Sequence, residues 1–218
     1  MQSKLPVIRL DDSSEDAALT TDVIASMSTA LAALCPDDIV AVATQIECGL
    51  RERRKILLLG NGGSCATASH LATDLRLMAS EAGLPASIEP LNDNACLLTA
   101  MANDYGFARS GAALIEATAS EGDILVIFSC SARSPNLLHA AQTAARLGVV
   151  TLLIGSILAP ADFPARSTIL VQSKRYAVIE TTHLAITHLI SGLVRQRFGV
   201  QTTRCAIHFP QDSQRAGD

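Results

Sequence analysis

Apolar residues in this chain form short continuous runs, and stretches with the spacing of amphipathic helices separate them. A run without polar alternation is typical of a strand that is buried on both faces, as in a parallel sheet covered by helices on each side. The predicted strands are Ile56–Leu59, Ile124–Phe128, Val149–Ile154 and Thr168–Val171, with Ala86–Leu91 as a weaker candidate.

Helical spacing fills the segments before, between and after these runs. Pro36, followed by two aspartates, marks one helix start clearly. The alternation of strands and helices predicts an α/β fold with a parallel sheet covered by helices on both faces. The predicted helices are Leu19–Leu34, a second that begins after Asp38 and runs to about Arg54, and then Ser64–Ala79, Asn94–Ala102, Arg109–Ala119, Pro135–Leu147 and Tyr176–Phe198.

The 218 residues are consistent with one α/β domain that carries a helical extension at its N-terminal side. We expect this domain to span residues 17–200. Residues 1–16 are polar and are expected to form a flexible N-terminus, and residues 201–218 form a C-terminal tail.

Composition narrows the class of function. A net charge of −4, the absence of Trp and an aromatic content of 3% argue against binding to nucleic acid, which needs cationic and stacking side chains. No apolar run approaches the ~20 residues of a membrane span, and the N-terminus lacks the features of a signal peptide. Six scattered cysteines without a Cys-x-x-Cys pair indicate reduced thiols with packing roles. We therefore expect a cytoplasmic protein without a membrane partner.

The first candidate binding loop follows the strand Ile56–Leu59 and reads Gly60-Asn61-Gly62-Gly63-Ser64. We expect Ser64 to cap the next helix. A glycine-rich turn at a helix N-terminus exposes backbone N–H groups where the helix dipole is positive. Such a loop favours an anionic or polyhydroxylated small molecule, although it also occurs as a plain tight connection.

The second candidate loop follows Ile124–Phe128 and reads Ser129-Cys130-Ser131-Ala132-Arg133-Ser134. Pro135 suits the first helical position, with Ser134 as the cap before it. Hydroxyl and N–H donors at a helix N-terminus favour phosphate, and Arg133 adds an optional positive charge. Two donor-rich loops at the ends of parallel strands indicate a sugar phosphate, with the phosphate in one loop and the hydroxyls in the other.

Ionisable side chains follow on two helices. His70 and Asp74 are four residues apart and share one face. Glu180 and His188 lie about 80° apart around the last helix, so both can address one pocket, whereas His183 points about 140° away from His188. The set suits proton shuttling by an acid and a base, or a divalent metal site of two histidines and two carboxylates with zinc as the leading candidate.

Four patches make the chain resemble the sugar isomerase (SIS) domain family, and within it the phosphoheptose isomerases. The resemblance extends to about Phe198. It implies a five-stranded parallel sheet flanked by helices in a three-layer, flavodoxin-like fold. It also implies a homotetramer whose active sites lie at subunit interfaces, one zinc ion per subunit and no organic cofactor. The patches are the loop 60–64 with His70, the segment 102–107, the loop 129–134, and Glu180 with His183 and His188.

The resemblance also implies roles for individual residues. Asp74 and His188 match the catalytic residues, and His70, Asp74, Glu180 and His188 match the metal ligands. The implied substrate-binding residues are Asn61, Gly62, Gly63, Ser64, Asp74, Asn103, Asp104, Ser129, Cys130, Ser131, Ser134 and Glu180.

Several positions depart from the family pattern. Family members usually have Glu at the position of Asp74 and Gln at the position of Glu180. Their phosphate loop usually reads Ser-Thr-Ser-Gly-Asn-Ser, so Cys130, Ala132 and Arg133 replace three of its members. These changes bear on the choice of sugar more than on the type of reaction.

The implied reaction is the aldose–ketose isomerisation of D-sedoheptulose 7-phosphate to D-glycero-D-manno-heptose 7-phosphate through an enediol. Asp74 is then the base at carbon, and His188 transfers protons at the oxygens. Three alternatives stay open: isomerisation of another phosphosugar, a non-catalytic SIS scaffold that binds a replication initiator, and a regulatory sugar-phosphate sensor. The scaffold branch lacks ionisable side chains at the positions of Asp74 and His188, which this chain retains.

Overall fold

Seven helices surround a five-stranded parallel sheet in residues 13–200, the part of the chain that the computed structural model describes. The strands are β1 (Ile56–Gly60), β2 (Ile88–Pro90), β3 (Ile124–Phe128), β4 (Val150–Ser156) and β5 (Ser167–Val171). The helices are α1 (Ser13–Ala32), α2 (Pro36–Arg51), α3 (Gly63–Glu81), α4 (Ala95–Tyr105), α5 (Phe107–Thr118), α6 (Pro135–Arg146) and α7 (Tyr176–Arg197).

The strands lie in the order β2-β1-β3-β4-β5, and all neighbouring pairs are parallel. The register places Gly60 of β1 beside Phe128 of β3, and Phe128 beside Ile154 of β4. The predicted α/β fold and the five-stranded parallel sheet are confirmed. The weaker candidate at 86–91 is a strand of only three residues at the edge of the sheet.

Two apolar cores lie on opposite faces of the sheet. In β1, Ile56 and Leu58 face the core formed with α2, α3 and α7, whereas Leu57 and Leu59 face the core formed with α4, α5 and α6. All residues of β1 and β3 are buried. Burial on both faces is the physical reason for their continuous apolar sequence.

The ends of some elements differ from the sequence prediction. Helix α1 begins at Ser13, so residues 13–16 belong to a helix and not to the flexible N-terminus that we expected. Helix α2 ends at Arg51, before the predicted Arg54, because the chain turns there and Arg53 adopts a left-handed backbone conformation with φ of 57°. Residues 1–12 and the tail 201–218 lie outside the described residues.

Helix α7 meets the length and hydropathy expected of a membrane span, with a mean hydropathy of 1.3 in its most apolar window. Helices α1 and α2 meet the same test only as a bent pair, with an angle of 68° between them. However, 56% of the α7 window is buried within the protein. Core helices of globular domains share this composition, because one helix packed between neighbours needs apolar residues on most of its surface.

The topology creates a crevice at the carboxyl ends of β1 and β3. These strands are neighbours, but α3, which follows β1, packs on one face of the sheet, whereas α6, which follows β3, packs on the other. The segments that lead from β1 to α3 and from β3 to α6 therefore diverge, and a gap remains between the first turns of the two helices. Ligands of doubly wound α/β proteins bind in such gaps.

Candidate functional site

Three of the predicted site residues meet between α3 and α7. His70 Nε2 and His188 Nδ1 each lie 3.7 Å from Asp74 Oδ2. The two imidazole rings contact edge to face, with their centroids 4.8 Å apart. Ligand atoms of all three side chains lie within 4.8 Å of one another. The geometry therefore brings together two histidines and a carboxylate from helices that are distant in sequence.

This cluster fits a divalent metal ion. His70 Nε2 is shielded from solvent and has no hydrogen-bond partner within residues 13–200. Its 3.7 Å separation from Asp74 is too long for a hydrogen bond. Ligands at zinc distances of about 2.0–2.2 Å in a tetrahedron lie roughly 3.4 Å apart, close to the two separations found here. A buried, unpartnered nitrogen that faces a carboxylate at this distance is the arrangement that a shared cation would satisfy.

Asp74 is oriented by a residue that the sequence analysis missed. The Ser191 hydroxyl donates to Asp74 Oδ2 over 3.0 Å, while its oxygen lies 3.3 Å from the His188 carbonyl. Ser191 follows His188 by three positions, so both point to the same side of α7. That spacing was the available signal, but serine is too common in helices for the spacing alone to indicate a role.

Glu180 lies apart from the three clustered side chains. It stands two turns before His188, about 12 Å along the helix axis. Its carboxylate packs against the start of α3, where a Cβ atom at Gly63 would lie 2.6 Å from Glu180 Oε2. Cys130 Sγ lies 4.0 Å from Glu180 Oε1. The structure thus brings Glu180 to the two candidate loops and leaves it outside the His70–Asp74–His188 cluster.

The first candidate loop is shaped by its glycines. Gly62 has a φ of 54° and is the residue before the first turn of α3, and Gly63 leaves room for Glu180. The prediction that Ser64 caps this helix is wrong, because α3 begins at Gly63 and Ser64 is buried inside its first turn. A left-handed Gly at the cap position lets the chain turn sharply from the strand into the helix.

The second loop turns tightly on its own hydrogen bonds. The Ser129 hydroxyl accepts a bond from the Ala132 N–H over 3.0 Å, and Ala132 has a left-handed φ of 50°. Ser134 and Pro135 occupy the predicted cap and first helical positions of α6, although the Ser134 side chain makes no capping bond. Arg133 is exposed, and its Nε donates to the carbonyl of Leu158 over 3.3 Å. The loop presents the α6 N-terminus to the crevice.

The two cysteines at these loops are poor nucleophiles. Burial raises the pKa of the Cys130 thiol, and the nearby Glu180 carboxylate raises it further. Burial also raises the pKa of Cys65, with Asp93 adding to the shift. A raised pKa keeps a thiol protonated and unreactive near neutral pH. Cys130 is also buried in the apolar core, which agrees with the packing role that the sequence indicated for it.

Asn103 and Asp104 lie at the end of α4, and both are exposed. The Asn103 amide donates to Asp104 Oδ1 over 3.0 Å. Within the described part of the chain, neither side chain forms a hydrogen bond with the clustered histidines or with Asp74. Their predicted contact with substrate stays a prediction.

His183 is fully buried behind the site. Its Nε2 lies 3.0 Å from the carbonyl oxygen of Gly155 and donates to it, and its ring contacts Phe128 at a centroid distance of 6.1 Å. Burial lowers the pKa of His183, although the Gly155 carbonyl partly offsets this effect. A neutral imidazole here links α7 to the carboxyl end of β4.

Asn136 is a second residue that the sequence analysis missed. It occupies the second position of α6 and is only 2% exposed. Its side-chain amide forms two hydrogen bonds with the amide of Asn61, each 2.9 Å long. Nothing in the local sequence indicates this pair, because Asn61 follows β1 whereas Asn136 lies in the helix after β3.

Comparison with protein families and curated proteins gives a consistent result. The SIS domain family model matches residues 21–156. The chain is 38% identical to the phosphoheptose isomerase of Chlorobaculum parvum over 172 residues, which cover 75% of this chain and 80% of that protein. It is 35% identical to the phosphoheptose isomerase of Halorhodospira halophila over 197 residues, which cover 87% of this chain and 98% of that protein.

Solved structures agree with these relatives. A phosphoheptose isomerase from Neisseria gonorrhoeae superposes with a TM-score of 0.70 at 26% identity, covering 83% of this chain and 97% of that one. A phosphoheptose isomerase from Francisella tularensis superposes with a TM-score of 0.75 over 86% of this chain and all of that one. Its sequence identity is 23%, so this likeness concerns the fold.

Proposed function

Because the chain belongs to the SIS domain family, we propose that it is a phosphoheptose isomerase that converts D-sedoheptulose 7-phosphate to D-glycero-D-manno-heptose 7-phosphate. The observation that carries the proposal is the convergence of His70, Asp74 and His188 beside two loops at helix N-termini. Curated relatives that are 34–38% identical bear this name. An acid, a base and an anion-binding loop are the groups that this reaction requires.

The two loops divide the substrate between them. The phosphate binds at the N-terminus of α6, where the helix dipole and the free N–H groups favour an anion. Glu180 packs against Gly63 at the start of α3, where its carboxylate oxygens can accept hydrogen bonds from sugar hydroxyls. The phosphate-binding residues are Ser129, Cys130, Ser131 and Ser134, and the residues for the sugar are Asn61, Gly62, Gly63, Ser64, Asn103, Asp104 and Glu180.

Asp74 and His188 perform the proton transfers. The Asp74 carboxylate removes the proton from C1 of the ketose and returns a proton to C2, while His188 moves a proton between the two oxygens. The atoms balance, because one proton leaves one carbon and one is added to its neighbour. The hydroxyl of Ser191 holds Asp74 in place through its 3.0 Å bond to Oδ2.

The proposed cofactor is one zinc ion per subunit. No organic cofactor is proposed. His70, Asp74 and His188 would hold it, whereas Glu180, which the sequence suggested as a further ligand, packs against Gly63 and lies outside this cluster. Such an ion would supply Lewis-acid polarisation of the sugar carbonyl. Because Asp74 Oδ2 and His188 Nδ1 face the cluster, Asp74 Oδ1 and His188 Nε2 would remain for the proton transfers.

We propose a homotetramer with interfacial active sites, in the cytoplasm and without nucleic-acid or membrane partners. Helix α1 exposes Ile24 and Leu31, which are 58% and 41% exposed, on one stripe. Tyr105 and Phe107, beside the predicted sugar-binding pair Asn103 and Asp104, are also more than half exposed. Exposed apolar side chains next to candidate binding residues are typical of a site that a second subunit completes.

A product assay tests the proposal. Purified protein is incubated with sedoheptulose 7-phosphate, with and without added zinc, and the aldose product is measured; hexose and amino-sugar phosphates serve as matched substrates. The proposal is supported if sedoheptulose 7-phosphate is converted and the hexose and amino-sugar phosphates are not. Turnover of a different phosphosugar assigns another substrate to the same chemistry. Tight binding without any turnover, or capture of a replication initiator without turnover, contradicts the isomerase function.

A further inference from the structure

The side chains of Asn61 and Asn136 form a closed amide pair. Asn61 Nδ2 donates to Asn136 Oδ1, and Asn136 Nδ2 donates to Asn61 Oδ1, with both bonds 2.9 Å long. The two residues lie 75 positions apart in sequence. Two parallel bonds fix the plane of each amide relative to the other, which a single bond cannot do.

The pair is placed where it must stay intact. Asn136 is 2% exposed and Asn61 is half-buried. If the two hydrogen bonds between them were broken, water could not easily replace them. A buried amide without a partner is unfavourable because it has left its hydrogen bonds with water. Each amide therefore constrains the position of the other.

The pair also spans the point where the chain connections diverge. Asn61 follows β1 and precedes α3, whereas Asn136 lies in the first turn of α6, after β3. Helices α3 and α6 pack on opposite faces of the sheet, so their first turns share few packing partners. The amide pair joins the loop 60–64 directly to the first turn of α6, which immediately follows the serine loop 129–134.

We propose that Asn136 is a positioning residue that acts through Asn61 and sets the distance between the two loops. This inference rests on the proposed function, in which one sugar phosphate contacts both loops at once. One N–H and the carbonyl oxygen of the Asn61 carboxamide are engaged by Asn136, so the orientation of whatever Asn61 presents to the substrate is set by that pair. A ligand that bridges both loops depends on the pair, whereas a ligand that touches one loop does not.

Kinetics and inhibition separate these two kinds of ligand. Asn61→Ala, Asn136→Ala and the double variant are compared with Thr143→Ala, which removes another buried, hydrogen-bonded side chain from α6 away from the crevice. In each of the three pair variants, kcat/KM for the sugar phosphate should fall about 10–100-fold, as for a reacting group misplaced by about 1 Å. Inhibition by inorganic phosphate should be unchanged, and the double variant should be no worse than either single one.

Several results would overturn the inference. If phosphate inhibition weakens in parallel with kcat/KM, the variants have damaged the site as a whole. If the single effects add up in the double variant, the two amides act independently. If Thr143→Ala loses as much activity as Asn136→Ala, the effect reflects stability only. If Asn136→Ala fails to fold, Asn61→Ala, which lies at a half-buried loop position, is compared with Thr143→Ala instead.

Amide hydrogen exchange tests the pair without any substrate. Asn136→Ala should speed exchange in residues 60–64, and Asn61→Ala should speed exchange in residues 129–136, while Thr143→Ala should do neither. If exchange in the opposite loop is unchanged in both variants, the pair does not couple the loops. If the wild-type protein turns over no sugar phosphate but the reciprocal exchange effect is present, the proposed function fails while the coupling stands.

Discussion

Asp74 is the residue on which the proposed chemistry depends most directly. Its carboxylate contacts both histidines and accepts a bond from Ser191. Asp74→Asn keeps the shape and the carbonyl acceptor for Ser191 but removes the base, so kcat should fall roughly 10²–10⁴-fold while the fold is retained. Steady-state kinetics and circular dichroism measure the two effects. Asp162→Asn, at an exposed loop position, is the matched control, and near-normal isomerisation by Asp74→Asn would refute the assignment.

His183 makes a testable contribution to stability against pH. Burial lowers its pKa in the folded protein from the ordinary value of 6.5, so the unfolded chain binds a proton first as the pH falls. The free energy of unfolding should therefore be unaffected by this residue above about pH 7 and should decrease as the pH falls from about 6.5 toward the lower folded pKa.

The variant His183→Gln isolates this effect, because a Gln amide can still donate to the Gly155 carbonyl but does not titrate. Urea unfolding at about pH 7.5 and about pH 5.5 should show a smaller loss of stability in the variant than in the wild type. Equal losses in the two proteins would mean that His183 contributes nothing to the pH dependence.

At the scale of elements, α1 offers the clearest test of assembly. Ala30 is buried, whereas Ile24 and Leu31 are exposed at a spacing of seven residues, which aligns them on one stripe of the helix. Replacing both with Glu should split the proposed tetramer into smaller species, because apposed charges in an apolar interface are unfavourable. Light scattering after gel filtration measures the mass.

The matched control for this experiment is Ala25→Glu with Ala32→Glu. It places two charges at the same spacing on a different, exposed face of α1. The control should retain the mass of the wild type. A wild-type mass for the Ile24 and Leu31 double variant, or a monomeric wild-type protein, would disprove an interface on this stripe.

The whole molecule should respond to metal through its stability. An ion that binds only the folded state raises the free energy of unfolding, by about 2.7 kcal/mol at a free concentration one hundred times its Kd. Treatment with a chelator should therefore lower the melting temperature, and added zinc should restore it. Scanning calorimetry, with metal content measured in parallel, checks the prediction.

Two variants locate the ion within the fold. His188→Ala should abolish the zinc-dependent shift, because it removes one of the three clustered ligands. His139→Ala removes an imidazole that instead contacts the Ala108 carbonyl and should keep the shift. A zinc response that survives in His188→Ala would place the ion elsewhere.

Much of the fold was predictable because its signals are local. Continuous apolar runs identified β1, β3, β4 and β5, and Pro36 and Pro135 marked two helix starts. The misassigned helix start at Ser64 has a physical cause. The serine has the chemistry of a cap, but the left-handed conformation of Gly62 brings the chain into the helix before Ser64 is reached.

The site was predictable only in part. The spacing of His70 and Asp74 on α3 determined that they share a face, and this is a property of one helix. The sequence by itself determined the strands, the helices and the chemical identity of the candidate ligands, because each depends on neighbours along the chain. Tertiary structure alone decided that His188 joins His70 and Asp74 while Glu180 lies beside Gly63, and that Asn61 pairs with Asn136. Those contacts depend on how α3, α6 and α7 are set against the sheet, and that arrangement results from the packing of both cores together.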